Sequence, residues 1–200
     1  MIKAVLFDVG GVIIDSHALM HDVLKLFRPA DEKKFWIDVN HRCIPLCKAE
    51  ISLLEFWKDL ARAYGKDIPE ERLNALWVKD YTENIKVNEG IVEIIQKLHE
   101  NYKLGIVSNS VKEQPLILEV LGLSRYFDAV LLSHELGIAK DTKKIFELAT
   151  DKLCVASSEC IFIDDIEIYL NMGRSAGMRG ILFKDAEALK RDLRELGIKI

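Results

Sequence analysis

The sequence predicts a three-layer α/β fold, in which a parallel sheet lies between two layers of helices and an all-helical insert follows the first strand. Two observations support this fold class. From Glu89 onward, short apolar runs alternate with segments of helical periodicity, which is the pattern of parallel βαβ units. Residues 16–85 show helical periodicity and no strand signal. The α/β core is therefore expected to comprise residues 1–15 and 86–200, and the helical insert residues 16–85.

The first strand is predicted at the N-terminus, where six of the first seven residues are apolar and Lys3 is the exception. Such a continuous run suits a central parallel strand that is covered on both faces. The run ends at Asp8, and Gly10 and Gly11 follow. Asp8 is therefore expected at the carboxyl end of the strand, where open α/β sheets bind ligands. Taken alone, the stretch equally allows Asp8 to cap a turn.

Four amphipathic helices are predicted in the helical insert, because residues that cap or break helices separate four apolar patterns: Pro29, Asp31, Pro45, Gly65 and Pro69. Trp36, Trp57 and Trp77 each lie in a different one of these helices. We expect the tryptophans to form the core of a small helical bundle. The alternative is that one of them lines a substrate pocket facing the strand tips.

The second half of the chain supplies the other strands and helices of the core. Strands are predicted at 104–107, 129–132, 160–163 and 180–183, and helices at 91–99, 116–121, 145–153, 169–176 and 186–196. Polar residues stand at the carboxyl ends of the strands, namely Asp8, Ser108, Asn109, Ser133, Asp164 and Asp165. Because parallel topology brings these ends to one edge of the sheet, the polar side chains are expected to meet there.

Three of these residues, Asp8, Asp164 and Asp165, are carboxylates that repel one another unless a cation joins them. Oxygen ligands without a histidine or cysteine favour Mg²⁺, which retains several waters and binds phosphate oxygens readily. The sequence therefore predicts a Mg²⁺ site. Asp165 has a structural alternative, as the N-cap of the following helix.

An anion site is predicted beside this cluster. Ser108 and Asn109 offer a hydroxyl, an amide and backbone N–H groups at a strand-to-helix turn, where an anion is well received. Lys140 can reach the same crevice with a compact positive charge. Each residue also has a plainer interpretation, Ser108 as a helix cap and Lys140 as a surface charge.

Composition excludes several functional classes. The 200 residues are 50% hydrophobic and carry a formal net charge of -4, so no strong field steers the molecule to nucleic acid or to an anionic membrane. No run approaches the roughly 18 to 20 apolar residues of a membrane helix, and no secretory signal pattern is present. The sequence predicts a cytoplasmic protein with a small soluble partner. Cys43 and Cys47, four residues apart, are at most half of a metal site and are expected to be ordinary reduced cysteines.

Four motifs in order make the chain similar to the haloacid dehalogenase (HAD) superfamily, in its phosphatase-like branch with a small helical cap. The motifs are FDVGGV around Asp8, IVSNS around Ser108, Lys140 with the later Ile145–Phe146, and FIDD ending in Asp164–Asp165. Each motif alone is a weak signal, but four of them in this order are a strong one. The resemblance covers nearly the whole chain.

The resemblance implies a Rossmann-like sheet, a helical cap formed by residues 16–85, and a Mg²⁺-dependent hydrolysis of small phosphomonoesters. Asp8 would be the nucleophile that forms an aspartyl-phosphate. Ser108 and Asn109 would hold the transferring phosphoryl group, and Lys140 would neutralise charge on Asp8 and on the phosphate. The metal ligands would be Asp8, Gly10 through its backbone carbonyl, Asp164 and Asp165. The expected partner is a small phosphorylated metabolite, without nucleic acid or membrane.

Three residues depart from the family pattern. Gly10 stands where phosphatases of this family usually carry a second aspartate as general acid and base, so slow turnover is predicted unless water or a residue such as His17 supplies the proton. Asp141 replaces a proline after Lys140, and Tyr169 replaces a common asparagine.

Two alternative functions follow from Gly10. One is a 2-haloacid dehalogenase, a class that lacks the second aspartate but carries a tyrosine there and keeps no acidic pair. The other is a regulatory protein on a disabled enzyme fold. The substrate and the oligomeric state are not predicted by the sequence.

Overall fold

A computed structural model of the chain describes residues 1–83, 86–113 and 117–200. The strands in this part of the chain are β1 (Ala4–Phe7), β2 (Ile14–Asp15), β3 (Lys86–Val87), β4 (Lys103–Ser108), β5 (Ala129–Leu132), β6 (Cys160–Asp164) and β7 (Arg179–Leu182). Five of them form a parallel sheet in the order β5-β4-β1-β6-β7, and β2 pairs with β3 in a separate antiparallel ladder.

The helices in the described residues are α1 (His17–Phe27), α2 (Glu32–Arg42), α3 (Ile44–Cys47), α4 (Leu53–Ala63), α5 (Glu70–Glu83), α6 (Glu89–His99), α7 (Ile117–Val120), α8 (Ser133–Leu136), α9 (Lys144–Leu153), α10 (Glu167–Ser175) and α11 (Ala186–Glu195). The predicted helix at 116–121 corresponds to α7, and Leu116 itself lies outside the described residues. No helix in the described ranges combines the length and the apolar character that crossing a membrane requires.

Strand β1 lies at the centre of the parallel sheet. Val5 aligns with Leu104 of β4 on one side and with Ile161 of β6 on the other. All four residues of β1 are buried, as its continuous apolar run predicts. Because β1 pairs on both sides, Asp8 emerges between the ends of β4 and β6.

Helices cover both faces of the sheet. Side chains alternate along β1, so that Val5 and Phe7 pack in one core cluster with α6 and α11, whereas Ala4 and Leu6 pack in a second cluster with α9 and α10. The predicted three-layer α/β architecture is thereby confirmed.

The helical insert contains a third core cluster, formed mainly by its own aromatic and aliphatic side chains, among them Phe27, Phe35 and Trp57. The helices have side-chain N-caps at Asp31, as predicted, and at Ser52, which was not predicted. The Asp31 side chain accepts from the Lys34 N–H at 2.9 Å, and Ser52 forms a reciprocal capping box with Glu55. The side chain of Trp77 lies outside the described residues.

Two local elements differ from the sequence-based expectation. The sequence predicts that Pro45 interrupts the helical structure. This residue instead lies in the first turn of α3, where its missing N–H costs no helical hydrogen bond. The β2–β3 ladder pairs Ile14 with Val87 and Asp15 with Lys86. Strands of two residues have no readable period, so the sequence does not predict this ladder at the ends of the insert.

Candidate active site

Lys140 joins two carboxylates at the tips of neighbouring strands. Its Nζ lies 2.9 Å from Asp8 Oδ1 and 2.6 Å from Asp164 Oδ2. Asp8 follows β1 directly, and Asp164 is the last residue of β6, so the parallel pairing of these strands brings the two carboxylates together. The Lys140 side chain is only 1% exposed, so water screens neither ion pair effectively.

The protonation of these groups reflects burial and mutual attraction. Burial disfavours the charged form of Lys140, but Asp164 and Asp8 outweigh it and hold the pKa of Lys140 above its ordinary value. Burial raises the pKa of Asp164, Lys140 opposes that shift, and the charge of Asp8 adds to it. The single positive charge of Lys140 therefore neutralises only part of the negative charge of Asp8 and Asp164.

Two aromatic rings flank the ammonium of Lys140. The Nζ of Lys140 lies 4.8 Å from the centroid of the Tyr169 ring and 5.7 Å from that of Phe162. Tyr169, one of the three departures from the family pattern, therefore shields the lysine from solvent. Burial raises the pKa of the Tyr169 hydroxyl, which keeps it neutral beside the ion pair.

The three predicted metal-binding carboxylates meet in one place. Asp8, Asp164 and Asp165 each offer a carboxylate oxygen, and these oxygens lie within 4.8 Å of one another. Asp165 is exposed, whereas Asp8 and Asp164 are buried. The three carboxylates offer hard oxygen donors to one point, which fits Mg²⁺. Gly10 lines the same cavity as Asp8 and Asp165.

Gly11 has a close-approach role that sequence reasoning missed. Its φ of +78° lies in the left-handed region, and a Cβ there would stand 2.2 Å from Asp165 Oδ2. The second glycine of the motif therefore makes room for a predicted metal ligand. Gly10 differs, since its φ is not left-handed and a Cβ at this position would have no atom within 4 Å.

The predicted anion site lies beside Lys140. Asn109 Oδ1 accepts from the Lys140 backbone N–H at 2.8 Å, whereas Asn109 Nδ2 is buried without a hydrogen-bond partner among the described residues. Ser108 is buried and lines the same cavity. An unpaired buried donor is costly, and a phosphate oxygen is the kind of acceptor that would satisfy it.

Ser133 does not line the cavity but hydrogen-bonds to Ser110, in the turn beside the cavity. Its Oγ accepts from the Ser110 N–H at 2.9 Å and donates to the Ser110 carbonyl at 3.2 Å. Ser110 Oγ in turn lies 2.7 Å from His134 Nδ1. These bonds fix the turn that follows Asn109, a tertiary contact that no local sequence pattern reveals.

A cavity of about 550 Å³ extends from the strand tips into the helical insert. One end is lined by Asp8, Ser108, Asn109, Lys140 and Asp165, and the other end by helices of the insert. Trp57 belongs to the core of the insert and also lines this cavity, so both interpretations of the tryptophans apply to it. The side chain of His17 lies outside the described residues.

Cys43 and Cys47 also line the cavity, and the Cys43 thiol donates to the Asn40 carbonyl at 3.3 Å. The neighbouring Cys47 thiol lowers the pKa of Cys43, and the Cys43 thiol together with burial raises the pKa of Cys47. Among the described residues, the carboxylates of Asp8, Asp164 and Asp165 form the cluster of three or more metal-ligating groups, and neither cysteine belongs to it. Cys43 and Cys47 are both free thiols in the structure.

The sequence identifies the class of protein. Residues 2–177 match the haloacid dehalogenase-like hydrolase family, and the chain belongs to that family. The predicted family and the prediction of a hydrolase are confirmed. The chain is similar to the D-ribitol-5-phosphate phosphatase of Bacteroides thetaiotaomicron, with 28% identity over 193 residues that cover 88% of this chain and 89% of the relative. It is also similar to pyrimidine 5'-nucleotidase YjjG of Escherichia coli, with 29% identity over 124 residues, 62% of this chain and 53% of the relative.

Two solved structures share the fold. A HAD family enzyme from Bacteroides thetaiotaomicron, in its magnesium complex, has a TM-score of 0.68 at 23% identity, and the match covers 96% of this chain and 98% of that one. A 2-haloacid dehalogenase from Pseudomonas syringae pv. tomato has a TM-score of 0.66 at 18% identity, with 98% and 100% covered. At these identities the two likenesses show the fold.

Proposed function

We propose that this chain is a Mg²⁺-dependent phosphatase that hydrolyses a small phosphomonoester through an aspartyl-phosphate on Asp8. One observation carries the proposal. The Asp8 carboxylate stands 2.9 Å from the Lys140 ammonium in a cavity that Asn109 also lines, and the buried Asn109 Nδ2 has no hydrogen-bond partner of normal geometry among the described residues. Phosphoryl transfer requires a nucleophile, a cation and hydrogen-bond donors that can bind the phosphate oxygens.

The residues divide the chemistry between them. A phosphomonoester dianion repels a bare carboxylate, so Lys140, Asn109 and Ser108 must offset charge on the phosphoryl oxygens. An Asp8 oxygen attacks phosphorus, the bond to the ester oxygen breaks, and the departing oxygen takes a proton from water. A second water then attacks phosphorus and breaks the bond to Asp8, which releases phosphate and restores the carboxylate. With Gly10 in place of an aspartate, neither proton transfer has a carboxylic acid at this position, and we expect slow turnover on poor leaving groups.

The metal would be held by the carboxylates of Asp8, Asp164 and Asp165 and by the backbone carbonyl of Gly10. When bound, Mg²⁺ would supply positive charge against the phosphate oxygens. The mutual proximity of these carboxylates supports this assignment, because a divalent cation would relieve their repulsion.

Helices α1 to α5 are proposed to act as the cap of this site, with the core at residues 1–15 and 86–200. The cavity is lined from both sides, by Asp8 and Lys140 of the core and by Trp36 and Trp57 of the insert. Lys48 of the insert also pairs with Asp141 of the core at 2.8 Å. Asp141, which replaces the family's proline, thus contributes a contact that holds the insert over the strand tips. A closed cap would exclude water from the phosphoryl group.

Phosphate release tests the proposal directly. The full chain is incubated with acetyl phosphate and with p-nitrophenyl phosphate, in Mg²⁺ and in excess EDTA, with chloroacetate in parallel as the dehalogenase test. We expect phosphate release that needs Mg²⁺, and no chloride release. Asp8→Asn should abolish it, whereas Asp151→Asn, a control that removes an exposed carboxylate outside the cavity lining, should retain it. Turnover that survives Asp8→Asn or EDTA contradicts the proposal.

A further inference from the structure

Building on the proposed function, we propose that the substrate is an aryl-type phosphate, in which the phosphate is esterified to a flat, largely apolar ring that carries a hydrogen-bond acceptor. The chemistry of the cavity beyond the strand tips supports this substrate class. It differs from the carbohydrate phosphate in the name of the Bacteroides relative.

The cavity wall contributed by the helical insert is mainly apolar. Its members come from α1, α2, α3 and α4, and they include Leu19, Val23, Trp36, Leu46, Phe56 and Trp57. A volume of about 550 Å³ leaves room for a ring system beyond a phosphate group. Removing an aromatic ring from water against such a wall is favourable in proportion to the apolar area buried.

A polyol would find few partners on the same wall. The side chains of the described insert residues that line the cavity with oxygen or nitrogen, other than the tryptophans, are Ser16, Lys33 and Asn40. Ser16 Oγ is already directed at Met20 Sδ, 3.9 Å away. Each sugar hydroxyl that loses water without gaining a partner weakens binding, so this wall disfavours phosphorylated carbohydrates.

Trp57 supplies an independent observation. The residue is only 2% exposed, lines the cavity, and has a buried indole Nε1 without a hydrogen-bond partner in the described part of the chain. Its ring packs 4.8 Å from Phe56 and 6.1 Å from Phe27, measured between centroids. Buried indole N–H groups usually find an acceptor, so we infer that the substrate ring carries one.

The absence of an acid at Gly10 favours the same substrate class, because it limits which leaving groups can depart. A Cβ at this position would meet no atom within 4 Å, so space does not exclude a carboxylic acid there. Without that acid, the departing oxygen must leave largely unprotonated. A phenol-type oxygen, with a pKa of about 10, does so far more readily than a sugar hydroxyl. The lining of the cavity and the missing acid therefore select the same substrates.

Calorimetric titration of the Mg²⁺-loaded full chain tests the class, because phosphonates bind without turnover. The probes are 4-acetylbenzylphosphonate, 4-isopropylbenzylphosphonate and 2,3,4-trihydroxybutylphosphonate. We expect the acetyl compound to bind about tenfold or more tighter than the trihydroxy compound. It should bind about fivefold tighter than the isopropyl compound, which has a similar shape but no acceptor. Equal or tighter binding of the trihydroxy compound overturns the substrate class, and equal binding of the two aryl compounds overturns the acceptor.

Trp57→Phe examines the indole donor. This variant should weaken the acetyl compound about fivefold and leave the isopropyl compound nearly unchanged. Tyr64→Phe is the matched control, because Tyr64 packs 4.9 Å from Phe35 in the same aromatic cluster but does not line the cavity. It should change neither affinity. If Trp57→Phe does not fold, the two aryl ligands on the native chain still decide the question.

The two proposals fail in different ways. Phosphate release that depends on Asp8, combined with no preference among the phosphonates, overturns the substrate class and leaves the phosphatase intact. Absence of phosphate release from every substrate, or release that Asp8→Asn does not change, overturns the phosphatase and with it the substrate.

Discussion

Asn109 fixes Lys140 by accepting its backbone N–H on Oδ1 at 2.8 Å, although the two residues are 31 positions apart in the chain. The same side chain leaves its Nδ2 buried and unpaired in the described structure. One residue of the second motif thus positions the lysine of the third and also offers a donor to an anion. Because Asn109 has both roles, a substitution at this residue tests the anion site directly.

Asn109→Asp should strongly weaken phosphate binding while the fold persists. The substitution keeps an acceptor for the Lys140 N–H, but it replaces the Nδ2 donor with a carboxylate oxygen that repels phosphate. We expect the affinity for inorganic phosphate, measured by calorimetry with Mg²⁺, to fall about 100-fold or more. Asn101→Asp, at an exposed position, is the control and should bind phosphate normally. Retained phosphate affinity in the Asn109 variant would place the anion elsewhere.

Lys140→Met should destabilise the chain, because it leaves Asp8 and Asp164 buried without their shared cation. Breaking a buried ion pair by removing one partner costs about 3 to 5 kcal/mol. Mg²⁺ should restore part of this loss by neutralising the same carboxylates. The free energy of unfolding is measured in urea with and without Mg²⁺, with Lys143→Met as the exposed control. A loss within about 1 kcal/mol would show that the pair is weakly coupled to stability.

Gly10→Asp should raise the rate of hydrolysis more on alkyl than on aryl phosphates. The position has an ordinary φ and open space, so the new carboxylic acid can be accommodated and can protonate the leaving group. Positioned proton transfer is typically worth about 10² to 10⁴ in rate, and aryl oxides need it least. Equal effects on both substrates, in a variant that is folded and binds Mg²⁺, would show that proton transfer does not occur from this position.

Gly11→Ala is the contrasting substitution and should impair Mg²⁺ binding. A Cβ would stand 2.2 Å from Asp165 Oδ2 at a left-handed φ, so either the backbone or the carboxylate must move. We expect at least about a tenfold loss of Mg²⁺ affinity, since changes around a metal site that displace a ligand typically cost roughly 10- to 100-fold. Gly10→Ala is the control and should bind Mg²⁺ as the native chain does.

The cysteine thiols should react with iodoacetamide at different rates. Cys154 is exposed, and Cys43, in the cavity wall, has a pKa lowered by the neighbouring Cys47 thiol. Burial raises the pKa of Cys160 to about 11, so little thiolate is present at a pH of about 8 and alkylation should be slow. Peptide mass spectrometry should find Cys154 and Cys43 modified first, with a bound aryl phosphonate protecting Cys43 but not Cys154. Unchanged alkylation of Cys43 in saturating phosphonate would place the ligand away from this wall.

Much of the fold could be predicted because its signals are local. The apolar run before Asp8 and the cap at Asp31 each depend on a few neighbouring residues, and the structure has both as expected. Strand ends with polar residues could also be predicted, since parallel strands share one edge.

The remaining features depend on contacts between distant residues. No local pattern reveals that Ser133 bonds to Ser110, that Asn109 holds Lys140, or that Gly11 clears space for Asp165. Trp57 lies both in the core of the insert and in the cavity wall. A core residue and a cavity-lining residue follow the same helical periodicity, so only the positions of the neighbouring helices distinguish them.

Trapping of the covalent intermediate tests the central claim most directly. The Mg²⁺-loaded chain is mixed with acetyl phosphate, quenched in acid and digested, and the peptides are analysed by mass spectrometry. We expect a phosphoryl group on the peptide that contains Asp8, because slow turnover without a carboxylate at position 10 favours its accumulation. The Asp8→Asn variant should carry none. Phosphoryl transfer to another residue, or continued turnover with Asp8 unmodified, would contradict the account.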